Sequence, residues 1–467
     1  MKKWLAIIAV GLIIAAGTCY YPHYITYQLN NNTENHYVLS YGKKLKLDAY
    51  FHYMRRNETF GSSLWIQSTI ALIDSHPEYT LELGDFYLTH KNRQKATFWY
   101  QQAIRLDVKN AQVKLAKIFF SQQNYPQVKQ LLTTAFSQKE NLPDEETLSL
   151  LLEVALIEGD LSTAKMLIKH IEKTKPQHEL LKKVTKFQVF ESPYTLKNNN
   201  EFFQNCLASL QLFATNLSDL YYATQLIEGI QSHPLAKYSC FKPVRYIPLK
   251  QLNCSHQANE AITCDESIWQ AYQAGIDTRF IGVLLPQGGA KVHNGIMYLD
   301  RADTVEVFAH ELAHLLGFVD EYPIPDNHFR CSQVQEAPFA HNIAVLARTS
   351  HGDPITLRNK ILQQLPWRDF IDDNTPLFTK QGSRWQLGTP HKYHSKIGLF
   401  MSDTCKKAVS DSKANIQAFK PIAQRTSLNY FELEFPLFYQ KLLHNNAESF
   451  LMPSFDVNIT KANKISY

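Results

Sequence analysis

Between residues 80 and 172, small and apolar side chains recur with a period longer than a single helix. Leu83, Gly84, Tyr87, Ala96, Tyr100 and Ala103 are matched by Leu115, Ala116, Phe119, Val128, Leu132 and Ala135, a shift of 32 residues, and more loosely by Ala164, Ile168 and Ile171 after a further 36. Within each set the spacing is that of two amphipathic helices whose apolar faces meet, and such a unit buries its remaining apolar surface only by stacking on the next. The pattern predicts a helical repeat region over 23–175, with 48–75 as its N-terminal cap. Pro176, Pro193 and the asparagine run 198–200 break the helical rhythm, so a linker is expected over 176–205.

Beyond the linker the texture changes. A helix-like stretch, Leu217–Ile230, precedes "VRYIPL". Another, 260–274, precedes the apolar run "RFIGVLLP" at 279–286 and the alternating "KVHNGIMYLD" at 291–300. Helix, strand, helix, strand, strand, helix is an α+β order, expected to form one domain over 206–467. With 467 residues, 45% hydrophobic and 19% charged, the chain is long and apolar enough for more than one core. Its net charge of +5 is spread along the sequence without a clustered basic stripe, which argues against nucleic acid as a partner.

At the N-terminus, Lys2 and Lys3 precede an uncharged apolar run over 4–16, followed by small residues that suit cleavage. This predicts a signal peptide or a membrane anchor over 1–22, hence an exported protein that is periplasmic, attached to the inner membrane facing the periplasm, or secreted. Cys206, Cys240, Cys254, Cys264, Cys331 and Cys405 are an even set that allows up to three disulfides in an exported chain, in a pairing the spacing leaves open. None has the CxxC spacing of a zinc knuckle.

The densest chemistry is "HELAHLLGFVDEY" at 310–322. The stretch 304–316 lacks Pro and Gly, and Asp303 with Glu306 three residues on suggests a capped helix start. On a helix, His310 and His314 lie one above the other and can share one ion, while Glu311, about 100° around the axis, can reach a water on that ion. Gly317 can end the helix in a left-handed turn, letting Asp320 swing back as third ligand. Glu321 is the competing carboxylate, one residue later and pointing elsewhere. The plainer alternative is a helix whose acids pair with Arg301 or Arg330. The histidines at 293, 328, 341, 391 and 394 have no ligand spacing of their own.

This segment resembles the HExxHxxGxxDEY signature of the IgA-peptidase-like bacterial metalloendopeptidases, which are related to the metzincins. "RFIGVLLP" and "GIMYLD" match the strands before the active-site helix, and a looser likeness runs to about residue 435. The resemblance implies a metzincin-like mixed α/β zinc peptidase domain with one Zn2+ per chain, His310, His314 and Asp320 as ligands, and Glu311 as general base. It implies Met401 as a candidate methionine turn beneath the metal, and Tyr393 as a candidate to steady the tetrahedral intermediate. The helical period resembles tetratricopeptide repeats, implying a solenoid that binds a protein partner or substrate. The resulting expectation is an exported zinc endopeptidase acting on polypeptide, in contact with the membrane if its N-terminal segment stays uncleaved. The rival expectations are a non-catalytic repeat scaffold with a peptidase-like recognition domain, and a zinc hydrolase of non-protein amides.

Overall fold

The computed structural model describes residues 20–32, 34–137, 145–191, 206–255, 262–325, 328–407 and 415–456. The expected signal or anchor segment, apart from its last three residues, and residues 192–205 of the expected linker lie outside the described residues. The chain divides into two compact units, Met1–Val154 and Ala155–Tyr467. Among the described residues no helix is long and apolar enough to cross a membrane.

From residue 20 to Lys186 the described chain is helical: α1 (20–30), α2 (His36–Lys44), α3 (Asp48–Asn57), α4 (Ser63–Ala71), α5 (Tyr79–Thr89), α6 (Arg93–Arg105), α7 (Ala111–Ser121), α8 (Tyr125–Ser137), α9 (Glu145–Glu158), α10 (Leu161–Thr174) and α11 (Glu179–Lys186). Polar side chains close several N-termini: Asn35 accepts from Tyr37 N, Asn92 from Lys95 N, and Asp160 from Thr163 N. The positions singled out by their period are the ones that pack. Leu83, Ala96, Tyr100, Ala103, Leu115, Ala116, Val128 and Leu132 are all buried. Gly84 lies against the Tyr100 ring so closely that a Cβ there would stand 2.3 Å from it. The Tyr100 hydroxyl donates to Asp85 at 2.6 Å, and Lys114 from α7 pairs with the same carboxylate at 2.8 Å.

The second unit is mixed α+β. Its main sheet has five strands in the order β2 (Ser239–Tyr246), β1 (Ala208–Ala214), β3 (Phe280–Leu285), β5 (Ile296–Asp300) and β4 (Lys291–His293). The first four run parallel, and β4 returns antiparallel at the edge. Fully buried β3 explains the unbroken apolar run in the sequence. Between β1 and β2 runs α12 (Leu217–Ile230), as its periodicity predicts.

Three local expectations need correction. The 291–300 stretch is a hairpin rather than one strand, because Asn294 (φ 52°) and Gly295 (φ 79°) form a tight turn between β4 and β5. The described part of 260–274 has only short turns, a 3-10 turn at Glu266–Ile268 and the single helical turn α14 (Trp269–Tyr272), with α13 (Leu249–Leu252) standing earlier in the chain, before the Cys254–Cys264 disulfide, since Trp269 and Tyr272 fill the core beside Phe213 and draw the chain inward. Strand β1, a buried edge-to-edge partner of both β2 and β3, has no counterpart in the predicted order.

The motif helix is α15 (Val305–Leu315), buried on nearly every side. Its N-cap is Thr304 rather than Asp303, whose carboxylate is occupied by the Asp300 amide at 2.6 Å. Gly229 on α12 lets that helix approach Val305, where a Cβ would stand 2.6 Å from the valine. The Tyr222 hydroxyl donates to the Asp303 carbonyl at 2.8 Å, and Arg301 pairs with buried Asp219 on α12. The start of the motif helix is therefore fixed by the sheet and by α12. Two three-stranded sheets complete the unit: β10 (Phe400–Met401), β11 (Ile416–Lys420) and β6 (Ala344–Ala347) in one, and β7 (Thr349–Ser350), β9 (Arg384–Leu387) and β8 (Phe378–Gln381) in the other. Helix α16 (Pro354–Gln364) lies between β7 and β8 in sequence, and α17 (Leu437–Asn445) comes last.

All six cysteines beyond residue 200 are paired, as Cys206–Cys240, Cys254–Cys264 and Cys331–Cys405. Three disulfides suit an oxidising compartment and are consistent with export.

Candidate metal centre

Helix α15 ends in a turn written by its own sequence. Gly317 takes φ 91°. Its amide donates to the His314 carbonyl at 3.1 Å, and the Phe318 amide to the Ala313 carbonyl at 3.0 Å. These two bonds are those of a Schellman cap, which needs a left-handed residue where Gly317 stands. The turn is also crowded, for a Cβ there would lie 2.3 Å from the Phe450 carbonyl oxygen.

The reversal brings Asp320 back over the helix. Its Oδ1 lies 3.1 Å from His310 Nε2 and 3.1 Å from His314 Nε2, and the two ring nitrogens are 3.1 Å apart. Among the described residues, this His-His-Asp set is the one group of three whose donor atoms could hold a metal ion. The outer ring atoms explain the inner ones. His310 Nδ1 donates to the Ser427 carbonyl at 3.0 Å, and His314 Nδ1 donates to the Phe318 carbonyl at 3.1 Å. A carbonyl only accepts, so in the neutral rings both hydrogens sit on Nδ1 and both Nε2 lone pairs face the carboxylate. Buried Asp320 Oδ1 accordingly accepts no hydrogen bond. Three electron-pair donors aimed at one point fit a cation.

The charges in the cluster shift one another. Burial works to raise the Asp320 carboxyl, but the His314 and His310 rings outweigh it and hold the group well below the usual carboxylate range. Burial works to lower His314, yet Asp320 prevails and pushes that ring up to about 9, so a proton competes with a cation for its Nε2 lone pair. Glu311 is 6% exposed, and its Oε2 has no hydrogen-bond partner. Burial raises its carboxyl, against the opposing pull of His314 and His310.

Glu321 is not part of the cluster. It is wholly buried on the other side of the loop, where Lys420 Nζ stands 2.6 Å from its Oε2, and Tyr439 and Asn342 donate to its Oε1. Arg301 is committed to Asp219, and Arg330 lies over aromatic rings, so neither neutralises Glu311. Met401 and Tyr393 are not brought to the cluster. Met401 is 67% exposed on β10, while Ser402 and Thr404 turn inward and donate to the carbonyls of Glu321 and Asp320, at 3.3 and 2.7 Å. Tyr393 sits in a short 3-10 turn beside Lys392. Of the remaining histidines, His293 pairs with Glu266 at 3.0 Å and His391 lies tilted against His394, with ring centroids 3.9 Å apart.

The tyrosine that does reach the cluster is Tyr322, inside the motif itself. Its ring lies parallel to His310, with centroids 6.2 Å apart, which sets its phenol within the field of Asp320. Burial, and then the charges of Asp320 and Glu311, push its phenol up, so it stays a proton donor at neutral pH. Two clefts open on the cluster. One, of about 910 Å³, includes His310 and the segment around Phe431 to Phe438; the other, of about 690 Å³, includes His314, Asp320 and the β4 residues Val292 and His293. The wall formed by 449–453 was not foreseen, since only the fold brings the C-terminal chain beside Gly317.

No protein-family model matches the chain, and no curated protein matches it.

Proposed function

We propose that the protein is an exported, zinc-dependent endopeptidase, with its helical region acting as a tetratricopeptide-like solenoid that binds a partner or presents the substrate. The observation that carries this reading is the convergence of His310 Nε2, His314 Nε2 and Asp320 Oδ1, with both Nδ1 hydrogens tied to carbonyls, beside the buried, unpartnered oxygen of Glu311. Two imidazoles and one carboxylate are the ligand set of a catalytic zinc with an open position. When bound, such an ion supplies a Lewis acid that acidifies water and polarises a carbonyl.

The remaining steps belong to the chain. Glu311 takes the proton of the attacking water and passes it to the departing amine. Tyr322 keeps its hydroxyl proton and can donate to oxygen charge that develops in the reaction. An extended polypeptide adds to the outer edge of β4, whose residues line the same cleft as His314 and Asp320.

The test is metal analysis of the purified chain together with mass spectrometry of products from a mixed polypeptide substrate. Glu311→Ala retains the metal and loses cleavage; Asp320→Ala loses the metal. A chain that binds no divalent ion, or a Glu311→Ala variant that cleaves like the parent, ends this reading.

A further inference from the structure

Arg330 stands in the cleft that contains His314 and Asp320, and among the described residues no carboxylate pairs with it. Its guanidinium lies 4.9 Å from the centre of the Phe339 ring and 5.6 Å from that of Phe329. Rings at this distance attract a cation and exclude water, but they leave the in-plane N–H donors of the fork unused. Asp320 acts on this half-buried guanidinium only through its charge, without an ion pair, so burial is left partly uncompensated until a second acid meets the fork.

The position of Arg330 is also built. Residues Phe329–Cys331 form a 3-10 turn whose start is closed by His328 Nδ1 accepting from the Arg330 amide at 3.3 Å. The next residue, Cys331, is bonded to Cys405. Thr404, adjacent to that cysteine, donates to the Asp320 carbonyl at 2.7 Å and accepts the Ile324 amide through its own carbonyl at 3.0 Å. A covalent bridge and one hydrogen bond thus register the guanidinium against the third ligand of the metal cluster. Such registration is what a subsite needs and what a mobile surface arginine lacks.

We propose that Arg330 is a specificity-determining residue that binds a carboxylate of the substrate, so that the chain selects polypeptides with an acidic group in this cleft. The proposal rests on the peptidase reading for the reaction, though not for the binding. A planar carboxylate offers two oxygens to the fork, and the matched amide offers one oxygen and no charge. The carboxylate comes from an aspartate or glutamate side chain or from a chain end, and the two are separable by experiment.

The experiment uses the full chain loaded with zinc and a set of decapeptides in which a single Asp, or Asn in its place, is scanned through the sequence, each made with a free and with an amidated C-terminus. Hydrolysis is followed by mass spectrometry, and binding to the Glu311→Gln protein by fluorescence anisotropy. One Asp position is expected to exceed its Asn counterpart by about tenfold or more in both readouts. Arg330→Gln brings that ratio close to one, Arg330→Lys keeps part of it, and Arg330→Glu favours a peptide with Lys at the same position. Metal content and circular dichroism show that these variants are folded. A preference for free over amidated ends, without a preferred Asp position, assigns the carboxylate to the chain end. Equal Asp and Asn peptides with equal free and amidated ends overturn the proposal, as does a selectivity that Arg330→Gln leaves intact. Selective capture without any hydrolysis keeps the proposal and overturns the peptidase reading.

Discussion

Lys420 Nζ stands 2.6 Å from Glu321 Oε2, with 5% of the lysine side chain and none of the glutamate exposed. Lys420 also donates to the Gln424 carbonyl at 2.8 Å and to Asn429 Oδ1 at 3.1 Å. Asn342, which donates to Glu321, also bonds both the amide and the carbonyl of Val319. The residues on either side of Asp320 are thereby held from behind. Removing one member leaves an uncompensated buried charge, at a cost of about 3 to 5 kcal/mol. Lys420→Met is expected to lower the denaturation midpoint accordingly and to weaken metal binding, measured by titration with a competing chelator. The double variant Lys420→Met with Glu321→Leu regains much of the stability while metal binding stays weak. Full recovery of metal binding in the double variant would show that the pair does not position Asp320.

The network also marks what the sequence could and could not disclose. His310, His314, Gly317 and Asp320 are legible because helix pitch and a left-handed turn are local rules acting over a few residues. Lys420 is 99 residues from Glu321, and Ser427 is 117 from His310. Nothing local announces either partner. The helical region is legible for the same reason that the motif is, since the burial of Leu83, Ala96 and Tyr100 follows their period. The turn at Asn294 and Gly295 was present as an "NG" pair, but the alternation around it masked the reversal. Strand alternation explains Met401, which points outward because its neighbours Phe400 and Ser402 point in.

Gly317 provides a local test of the third ligand. An alanine there must hold the left-handed conformation, costing about 1 to 2 kcal/mol, and also displace the Phe450 backbone. Gly317→Ala is therefore expected to destabilise the second unit by about 3 kcal/mol and to weaken metal binding more than tenfold. Chemical denaturation and metal titration check the two effects. Unchanged metal affinity would mean that Asp320 finds its place without this turn.

The Cys331–Cys405 bond closes a span of 74 residues behind the ligand loop, and both cysteines are buried. Chain entropy alone gives such a bridge about 4 kcal/mol. The Cys331→Ala, Cys405→Ala double variant is expected to lose stability on that scale. Because Thr404 then holds Asp320 less firmly, the variant should also bind zinc more weakly, whereas removal of the Cys254–Cys264 bridge should leave zinc binding as it is. Equal effects of the two removals on zinc affinity would show that the contact between Thr404 and Asp320 has no special part.

His341 sets an acid limit on the fold. Its ring is packed between Phe318 and Phe450, with centroids 4.9 Å away in each case, and its Nε2 is buried without a partner. Burial pushes the ring down to about 4, although a bond to the Leu316 carbonyl opposes this. Above the ordinary histidine value near 6.5 the ring is neutral in both the folded and unfolded chain, and its contribution to stability is complete. As the pH falls, the unfolded chain takes up a proton that the folded ring refuses, so stability is lost between about 6.5 and 4. At about 1.4 kcal/mol per unit, the loss reaches about 2 kcal/mol by pH 5. His341→Gln is expected to flatten this part of the profile. Urea unfolding of both proteins at pH 7 and pH 5, with chelator present so that metal loss does not contribute, measures the difference. Parallel profiles would mean that a proton enters the packed ring in the folded state at little cost, and that the space around Nε2 admits a partner.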